Sequence, residues 1–285
     1  FVLAGQASEP STMPDTAALV DQAAQNADVA VVDDFSEVFT TASVSEWLRT
    51  SAIGSVRDVI SQARQVTDLA ALPVSSVALF AASAESLEAE ITSLVGLPSS
   101  LAERLLELLG SLLPDVSDTS GGWPAQAALA VLSVPATLSE LSLSATANRV
   151  LEATNAAAIA DLVSRASVIN AARNSASLEF ESYDQAVTVR SELVEALDVA
   201  ASSAPDPVFR TLTDLRVAVV RDITARGANL ARLTTWTPQA TLPSLVVAHK
   251  IYGDASRATE IVSRNRVRHP GAVPGGQTLE VLTNA

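Results

Sequence analysis

The sequence predicts a mainly α protein: an elongated helical bundle rich in Ala, Leu and Val, followed by a small C-terminal strand–helix–helix–strand module. Hydrophobic residues make up 48% of the 285 residues but aromatic residues only 4%, so the core must consist of small aliphatic side chains. Apolar residues recur at helical spacing through most of the chain, and proline or glycine separates the segments. Near the C terminus the pattern changes to the alternation of a half-buried strand.

The chain starts with a short segment that has no helical pattern. Residues 1–5 are typical of the end of a strand, and they lack the basic lead and long apolar stretch of a signal sequence. Residues 7–14 contain two prolines and two serines, which is the composition of a linker. The first helix is therefore expected to begin at Asp15 or Thr16, because either side chain can accept hydrogen bonds from its free amide groups.

A helical domain is predicted over residues 15–231. Pro73 ends its second helix and Pro98 opens its fourth, since proline is tolerated in the first turn of a helix but not in its interior. Residues 115–124 are expected to form a loop, and residues 125–134, which are apolar almost all round, are expected to be buried. The predicted helices span approximately residues 15–41, 45–72, 75–95, 98–113, 139–175, 178–201 and 208–230.

A separate C-terminal module is predicted over residues 232–285. Residues 232–237 have the β-branched and aromatic content of a strand, and residues 278–282 alternate like a strand with one buried face. A turn is expected at residues 274–276, where a proline precedes two glycines. The two strands are therefore expected to pair across the module.

Two short helices are predicted between these strands. The first carries several apolar side chains and a histidine that we expect to be partly buried and hydrogen-bonded. The residues on or near its apolar face are Leu245, Val246, Ala248, His249, Ile251 and Tyr252. Gly253 breaks this helix and is expected to take a positive φ, while Asp254 caps a second helix that runs through Ser263. Asn265 is expected to end that second helix.

Residues in this module resemble a known family. The Tyr-Gly-Asp step at residues 252–254, Asn265 after the second helix and the exit at residues 273–279 resemble a LysM module. The amino-acid sequence of residues 251–276 resembles, more specifically, the C-terminal end of Mu-like phage tail proteins of the DNA circularisation family. The likeness is strong only in this C-terminal part, and the helical middle matches in composition and order alone.

The resemblance has two implications for the whole chain. It implies that residues 1–14 are the end of a preceding β-rich domain followed by a linker. It also implies a place in a contractile phage tail, where LysM-like modules hold neighbouring proteins together.

Charge is distributed unevenly and argues against direct contact with DNA. Residues 1–200 hold 8 arginines and 26 acidic residues, a net charge of −18, whereas residues 201–285 hold 10 basic and 6 acidic residues, a net charge of +4. Nucleic-acid binding depends largely on neutralising phosphates with a basic surface. We therefore expect no direct nucleic-acid partner, despite the name of the family. The Arg-bearing C-terminal end is instead expected to contact an acidic protein surface.

No catalytic, cofactor or metal site is predicted. His249 and His269 are the only histidines, and neither has further ligands at helical spacing. Phosphate-binding glycine motifs and the G-x-S-x-G motif do not occur. Acidic residues at 33–34, 85–90 and 179–181 are best explained as solvated helix faces, because a glycosidase needs two acids across an aromatic-lined cleft. The chain is predicted not to be an enzyme.

Cysteine is absent, which excludes disulfides and thiolate sites, and no run of roughly 18 apolar residues predicts a membrane span. Two functions stay open. One is a structural component of a contractile phage tail, at the baseplate, the tail hub or the tube-to-baseplate junction. It would assemble in the host cytoplasm into the virion with copies of itself and other tail proteins. The other is a peptidoglycan-binding LysM protein, whose groove beside Gly253 would hold sugar units against Tyr252 and Trp236.

Residues of the C-terminal module are the candidates for contact with protein partners. These residues are Tyr252, Gly253, Asp254, Arg257, Arg264, Asn265, Arg266, Arg268, Pro274 and Gly275.

Overall fold

The computed structural model describes residues 15–40, 46–69, 74–112 and 146–282. Within these ranges the protein is mainly helical and carries one two-stranded sheet, which confirms the predicted fold class. The expected strand end and linker, the predicted loop at 115–124, the apolar segment at 125–134 and the helix start near residue 139 lie outside the described residues.

Seven helices precede the sheet in the described part of the chain. Their ranges are α1 Thr16–Val38, α2 Glu46–Leu69, α3 Val74–Leu94, α4 Pro98–Gly110, α5 Ala147–Ser175, α6 Tyr183–Ser202 and α7 Asp206–Gly227. The module that follows contains β1 Leu233–Trp236, α8 Ser244–Tyr252, a 3₁₀ turn Ala255–Arg257, α9 Ala258–Arg264 and β2 Leu279–Leu282.

The chain divides into two compact units. The first contains the described residues up to Glu179 together with residues 190–222, and the second contains residues 180–189 and the described residues from Ile223 onwards. The second unit therefore includes the described part of the module predicted over 232–285, with additional residues from α6 and α7.

The first unit is organised around α5. Helices α1, α2 and α4 all pack against α5, α1 also packs against α4, and α3 packs against α2 and α4. Alanines such as Ala24, Ala27 and Ala166 are fully buried, as expected from a sequence with few aromatic residues. Larger aliphatic side chains such as Leu105 and Ile159 are buried with them, so the core of this unit combines small and large apolar residues.

Several predicted helix boundaries are confirmed by capping contacts. The Asp15 carboxylate accepts hydrogen bonds from the amides of Ala17 and Ala18 at 3.1 and 3.3 Å and so caps α1. Pro98 occupies the first position of α4, where its missing amide hydrogen costs nothing. These boundaries were predictable because their causes lie within a few residues in the sequence.

The predicted start of α6 near residue 178 is wrong. The helix begins at Tyr183, because the hydroxyl of Ser182 accepts a hydrogen bond from the amide of Gln185 at 3.2 Å. Leu178 is buried although it lies outside the helix, so its apolar side chain extended the apparent helical pattern.

The second unit contains the predicted strand–helix–helix–strand order. Strands β1 and β2 are antiparallel, with Leu233 opposite Leu282 and Trp236 opposite Leu279. One face of this sheet and the two helices enclose a small core. Its buried members are Val247, Ala248, Ala258, Ile261, Val273, Leu279 and Val281. The module therefore has its own hydrophobic core, against which Trp236 also packs.

Candidate protein-contact surface

The junction between α8 and α9 has the geometry expected from the sequence. Gly253 has φ 73° and ends α8, and its amide donates to the carbonyl oxygen of His249 at 2.9 Å. Asp254 then accepts hydrogen bonds from the amide and the hydroxyl of Ser256 at 2.8 and 2.7 Å. These two bonds from Ser256 hold the pKa of the Asp254 carboxyl below its usual value. Asp254 thus caps the 3₁₀ turn that leads into α9.

Tyr252 is held within the module by three neighbours. The guanidinium of Arg257 lies 3.7 Å from the centre of its ring, and the phenol donates to Glu260 Oε1 at 3.3 Å. The same phenol oxygen accepts a hydrogen bond from the amide of Leu282 in β2 at 3.1 Å. Burial raises the pKa of the Tyr252 phenol, while the Leu282 amide opposes that change. Tyr252 therefore links α8 to both α9 and the sheet.

Two of the candidate arginines are engaged by carboxylates of the same unit. Arg257 contacts Glu260 Oε2 through Nε and Nη2, both at 3.0 Å. Arg264 Nη2 donates to Glu181 Oε2 at 3.3 Å, and the Arg264 side chain is largely buried. Both residues stabilise the unit in this structure, in addition to the contact role that the sequence predicts for them.

Arg266 and Arg268 differ from those two residues. Both side chains are exposed, and neither guanidinium group makes a hydrogen bond or ion pair with any described residue. Arg266 has φ 48°, a left-handed conformation that is uncommon for a residue other than glycine. These two guanidinium groups are therefore available to an external partner.

Pro274 and Gly275 belong to a loop that closes against the loop after β1. The amide of Gly276 donates to the carbonyl oxygen of Pro238 at 2.7 Å, and Leu242 pairs with Val273 in an isolated bridge. Gly275 lies so close to the opposite loop that an added Cβ would be 2.7 Å from Ala240 backbone atoms. The two loops are thus fastened to each other along their length.

The predicted apolar face of α8 is only partly correct. Val247 and Ala248 are buried and Ile251 packs against the module core, whereas Leu245 is 59% and Val246 is 40% exposed. The spacing of Ser244, Val247, Ala248 and Ile251, at i, i+3, i+4 and i+7, is the signal that identifies the buried face. The predicted face omitted the buried Val247 and included the exposed Leu245 and Val246.

His249 is also exposed, contrary to the expectation that it is partly buried and hydrogen-bonded. Its position is four residues after Leu245 on the same outward face of α8.

The start of α8 is bonded to the segment that follows α9. The amide of Ser244, at the start of α8, donates to the carbonyl oxygen of Pro270 at 2.7 Å. This bond holds Pro270, two residues after Arg268, at the start of α8, the helix that carries Leu245 and Val246. We call Leu245, Val246, Arg266 and Arg268 the outer surface of the module. It combines exposed apolar side chains with positive charges that have no partner in the part of the chain that the structure describes, a composition suited to a protein partner.

The described residues provide neither a metal site nor a membrane span. No group of three or more His, Cys, Asp or Glu side chains in residues 15–40, 46–69, 74–112 and 146–282 could hold a metal ion. In the same residues no helix combines the length and the apolar character needed to cross a membrane.

The module's internal network and its outer surface are thus formed by different residues. Comparison with protein-family models and with curated proteins matches this chain to none of them.

Proposed function

We propose that this chain is a structural component of a contractile phage tail, at the baseplate, the tail hub or the tube-to-baseplate junction. It acts by protein–protein contact rather than by catalysis, and its LysM-like C-terminal module clamps neighbouring subunits. The resemblance of residues 251–276 to Mu-like tail proteins supports the place in the tail.

One observation about the module carries the contact mechanism. Leu245 and Val246 are exposed in the first turn of α8. The segment bonded to that turn through Pro270 carries Arg266 and Arg268, whose guanidinium groups have no partner among the described residues. Burying such apolar side chains against a partner is favourable, and the positive charges of that segment select an acidic partner surface. The virion is the proposed location, with other tail proteins and further copies of this chain as partners.

The same structure gives a reason to prefer protein over sugar as the ligand. The peptidoglycan alternative depends on aromatic rings that are free to stack against sugar units. The Tyr252 ring is covered by Arg257, and its hydroxyl is bonded to Glu260 and Leu282. Trp236 packs against the core of the module. Neither ring is presented as an open platform.

The clamp is tested by following incorporation of the full chain into tail particles. Val246→Asp combined with Arg268→Glu should abolish co-sedimentation of the chain with assembled particles. Thr259→Asp is the control, because Thr259 is exposed on α9 and lies outside the outer surface. Normal incorporation of the double variant, with an unchanged circular dichroism spectrum, would contradict the clamp.

A pull-down with insoluble peptidoglycan tests the alternative directly. We expect the wild-type chain to remain in the supernatant. Retention that is lost on Tyr252→Ala but kept in the outer-surface variant would support sugar binding and refute the proposed function.

A further inference from the structure

The first unit contains a cavity of about 210 Å³ between α1 and α5. Val31 and Phe35 from α1 and Leu162 from α5 supply apolar walls. The polar groups of the lining are concentrated in Asp34, Asp161 and Arg165, with Thr154 beside them. The cavity is open to solvent and large enough for one long side chain.

The charges in this cavity do not balance. The Arg165 side chain is only 5% exposed, and its Nη1 donates to Asp34 Oδ2 at 2.6 Å. Its Nη2 bonds to the carbonyl oxygen of Ser203 at 3.5 Å and lies 3.7 Å from Asp161 Oδ2. One guanidinium therefore faces two carboxylates, and only Asp34 accepts a short hydrogen bond from it. Asp161 is left with a long contact to Arg165 and with oxygen atoms that accept no hydrogen bond from described residues.

The surroundings of Asp161 disfavour its charge. Burial raises the pKa of the Asp161 carboxyl, and the charge of Asp34 acts in the same direction, while Arg165 opposes them. A further positive charge placed in the cavity would reduce this cost, because an opposite charge favours the ionised carboxylate. The apolar walls would at the same time cover an aliphatic stem. Lysine and arginine side chains combine a stem and a cation in this way.

Other ligand classes fit this cavity less well. An anion would meet an excess of negative charge, since two carboxylates face one arginine. A metal ion prefers several oxygen ligands, and Arg165 already occupies the space between the two carboxylates. A purely apolar group would cover Asp161 without providing a hydrogen-bond donor for its carboxylate.

We infer that this cavity receives an arginine side chain from residues 266–268 of a second copy of the chain. Charge complementarity supports that choice: the guanidinium groups of Arg266 and Arg268 are exposed and have no partner among the described residues, while the sequence up to residue 200 carries a net charge of −18. A planar guanidinium can bond to two carboxylates at once, whereas an ammonium acts as a point charge. The inference rests on the proposed function, since it names the acidic surface that the clamp engages.

The contact is heterologous, because the cavity and the arginines are different surfaces of the same chain. Each copy can therefore donate to one neighbour and accept from another, which produces rings when the rotation closes.

Self-association of the full chain, measured by sedimentation velocity over a concentration series, tests this inference. Asp161→Asn removes one negative charge at nearly constant volume and should weaken association at least tenfold. Asp161 is 56% exposed on its side chain, so the substitution should not disturb folding. Asp33→Asn is the matched control, because Asp33 is an exposed α1 carboxylate outside the cavity with no partner among the described residues.

A second variant tests the cavity without changing charge. Ala157 lines the cavity and is itself exposed, so Ala157→Leu fills the space without displacing a buried group. It should weaken association as Asp161→Asn does. Association equal to that of the wild-type chain in both variants would overturn the inference.

A mixing experiment identifies the donor segment. Asp161→Arg should block the receptor, and Arg266→Asp with Arg268→Asp should remove the donor, so that each variant alone is monomeric. Mixed, they retain one intact receptor and one intact donor and should form a one-to-one dimer. A mixture that stays monomeric would overturn the inference, as would a wild-type chain that stays monomeric at high concentration. If the wild-type chain associates and every cavity variant associates equally well, the cavity is not the receptor. The proposed tail function would not be contradicted by that result.

Discussion

Asn265 pairs its side-chain amide with both backbone polar groups of Glu280. The amide of Glu280 donates to Asn265 Oδ1 at 2.7 Å, and Asn265 Nδ2 donates to the Glu280 carbonyl oxygen at 2.8 Å. The same Nδ2 also reaches the carbonyl oxygen of Ile261 at 3.0 Å. One side chain thus ends α9, satisfies the backbone of β2 and ties the two elements together.

Asn265→Ala should destabilise the C-terminal module by about 2 kcal/mol, since it removes several hydrogen bonds worth about 1 kcal/mol each. Hydrogen exchange at residues 279–282, followed by mass spectrometry, should become faster. Asn265→Asp keeps an acceptor for the Glu280 amide but places a carboxylate oxygen against the carbonyl oxygens of Ile261 and Glu280, so its exchange should be at least as fast as that of the alanine variant. Unchanged exchange in the alanine variant would contradict the structural role of Asn265.

Gly253→Val should destabilise the same module by about 1–2 kcal/mol, the typical cost of forcing a side chain into a left-handed conformation. An added Cβ at Gly253 would meet no atom within 4 Å, so the cost is conformational and not a steric clash with neighbours. Gly253→Asn is the control, because asparagine tolerates this conformation and should cost less. Thermal unfolding of the module should rank glycine, asparagine and valine in that order. Equal melting temperatures for asparagine and valine would argue against this explanation.

Gly275→Ala should destabilise the module for a different reason. Its Cβ would lie 2.7 Å from backbone atoms of Ala240 and 2.9 Å from the amide nitrogen of Thr241, so the two loops must separate. Steric overpacking of this kind typically costs about 1–3 kcal/mol. Gly271→Ala provides the control, because a Cβ there meets nothing within 4 Å. In urea unfolding, Gly275→Ala should have a lower midpoint than Gly271→Ala. Identical midpoints would show that the two loops can move apart without loss of stability.

Asp28 should make the first unit respond to pH. Asp28 Oδ2 accepts a bond from Arg173 Nη2 at 2.5 Å, while Oδ1 is buried and accepts none from described residues. Burial raises the pKa of Asp28 above the value of 3.8 for an unperturbed group, although Arg173 opposes the rise. Because the pKa of Asp28 is higher in the folded than in the unfolded state, the folded state binds this proton more tightly, and protonation of Asp28 stabilises the fold. This contribution is fully present below about pH 4 and is lost as the pH rises through the folded pKa.

Chemical denaturation of the wild-type chain and Asp28→Asn at pH 4 and pH 7 measures this effect. The asparagine variant cannot ionise at residue 28. The free energy of unfolding of the wild type, measured relative to that of this variant, should therefore be lower at pH 7 than at pH 4. A difference that stays constant, or that grows in favour of the wild type, would show that burial does not dominate at Asp28.

Local signals in the sequence predicted much of the C-terminal module. Gly253 and Asp254 act within three residues of their own positions, through a positive φ and a cap, and both were found as expected. The Ser182-x-x-Gln185 spacing is also a local signal, because its hydroxyl and amide form the cap of α6. Attention to that spacing would have placed the start of α6 correctly.

Other features depend on partners that are distant in the sequence. Asn155 is buried because its side chain accepts from the Thr40 amide at 3.1 Å and donates to the Thr40 carbonyl oxygen at 3.0 Å, across 115 residues. Arg165 is buried because it pairs with Asp34, 131 residues away. No local pattern distinguishes these side chains from solvated ones. The exposure of Leu245 and Val246 was likewise not predictable from the local sequence, since residues 245–248 of α8 form an uninterrupted apolar run.

The alanines buried between α1 and α5 also constrain how this chain can vary. Ala24, Ala27 and Ala166 have no solvent exposure, so enlarging any of them requires a neighbour to shrink or a helix to shift. Such an interface tolerates few isolated substitutions and favours exchanges made in compensating pairs. Homologous chains should therefore diverge faster on the outward positions of these helices than along this alanine-lined seam.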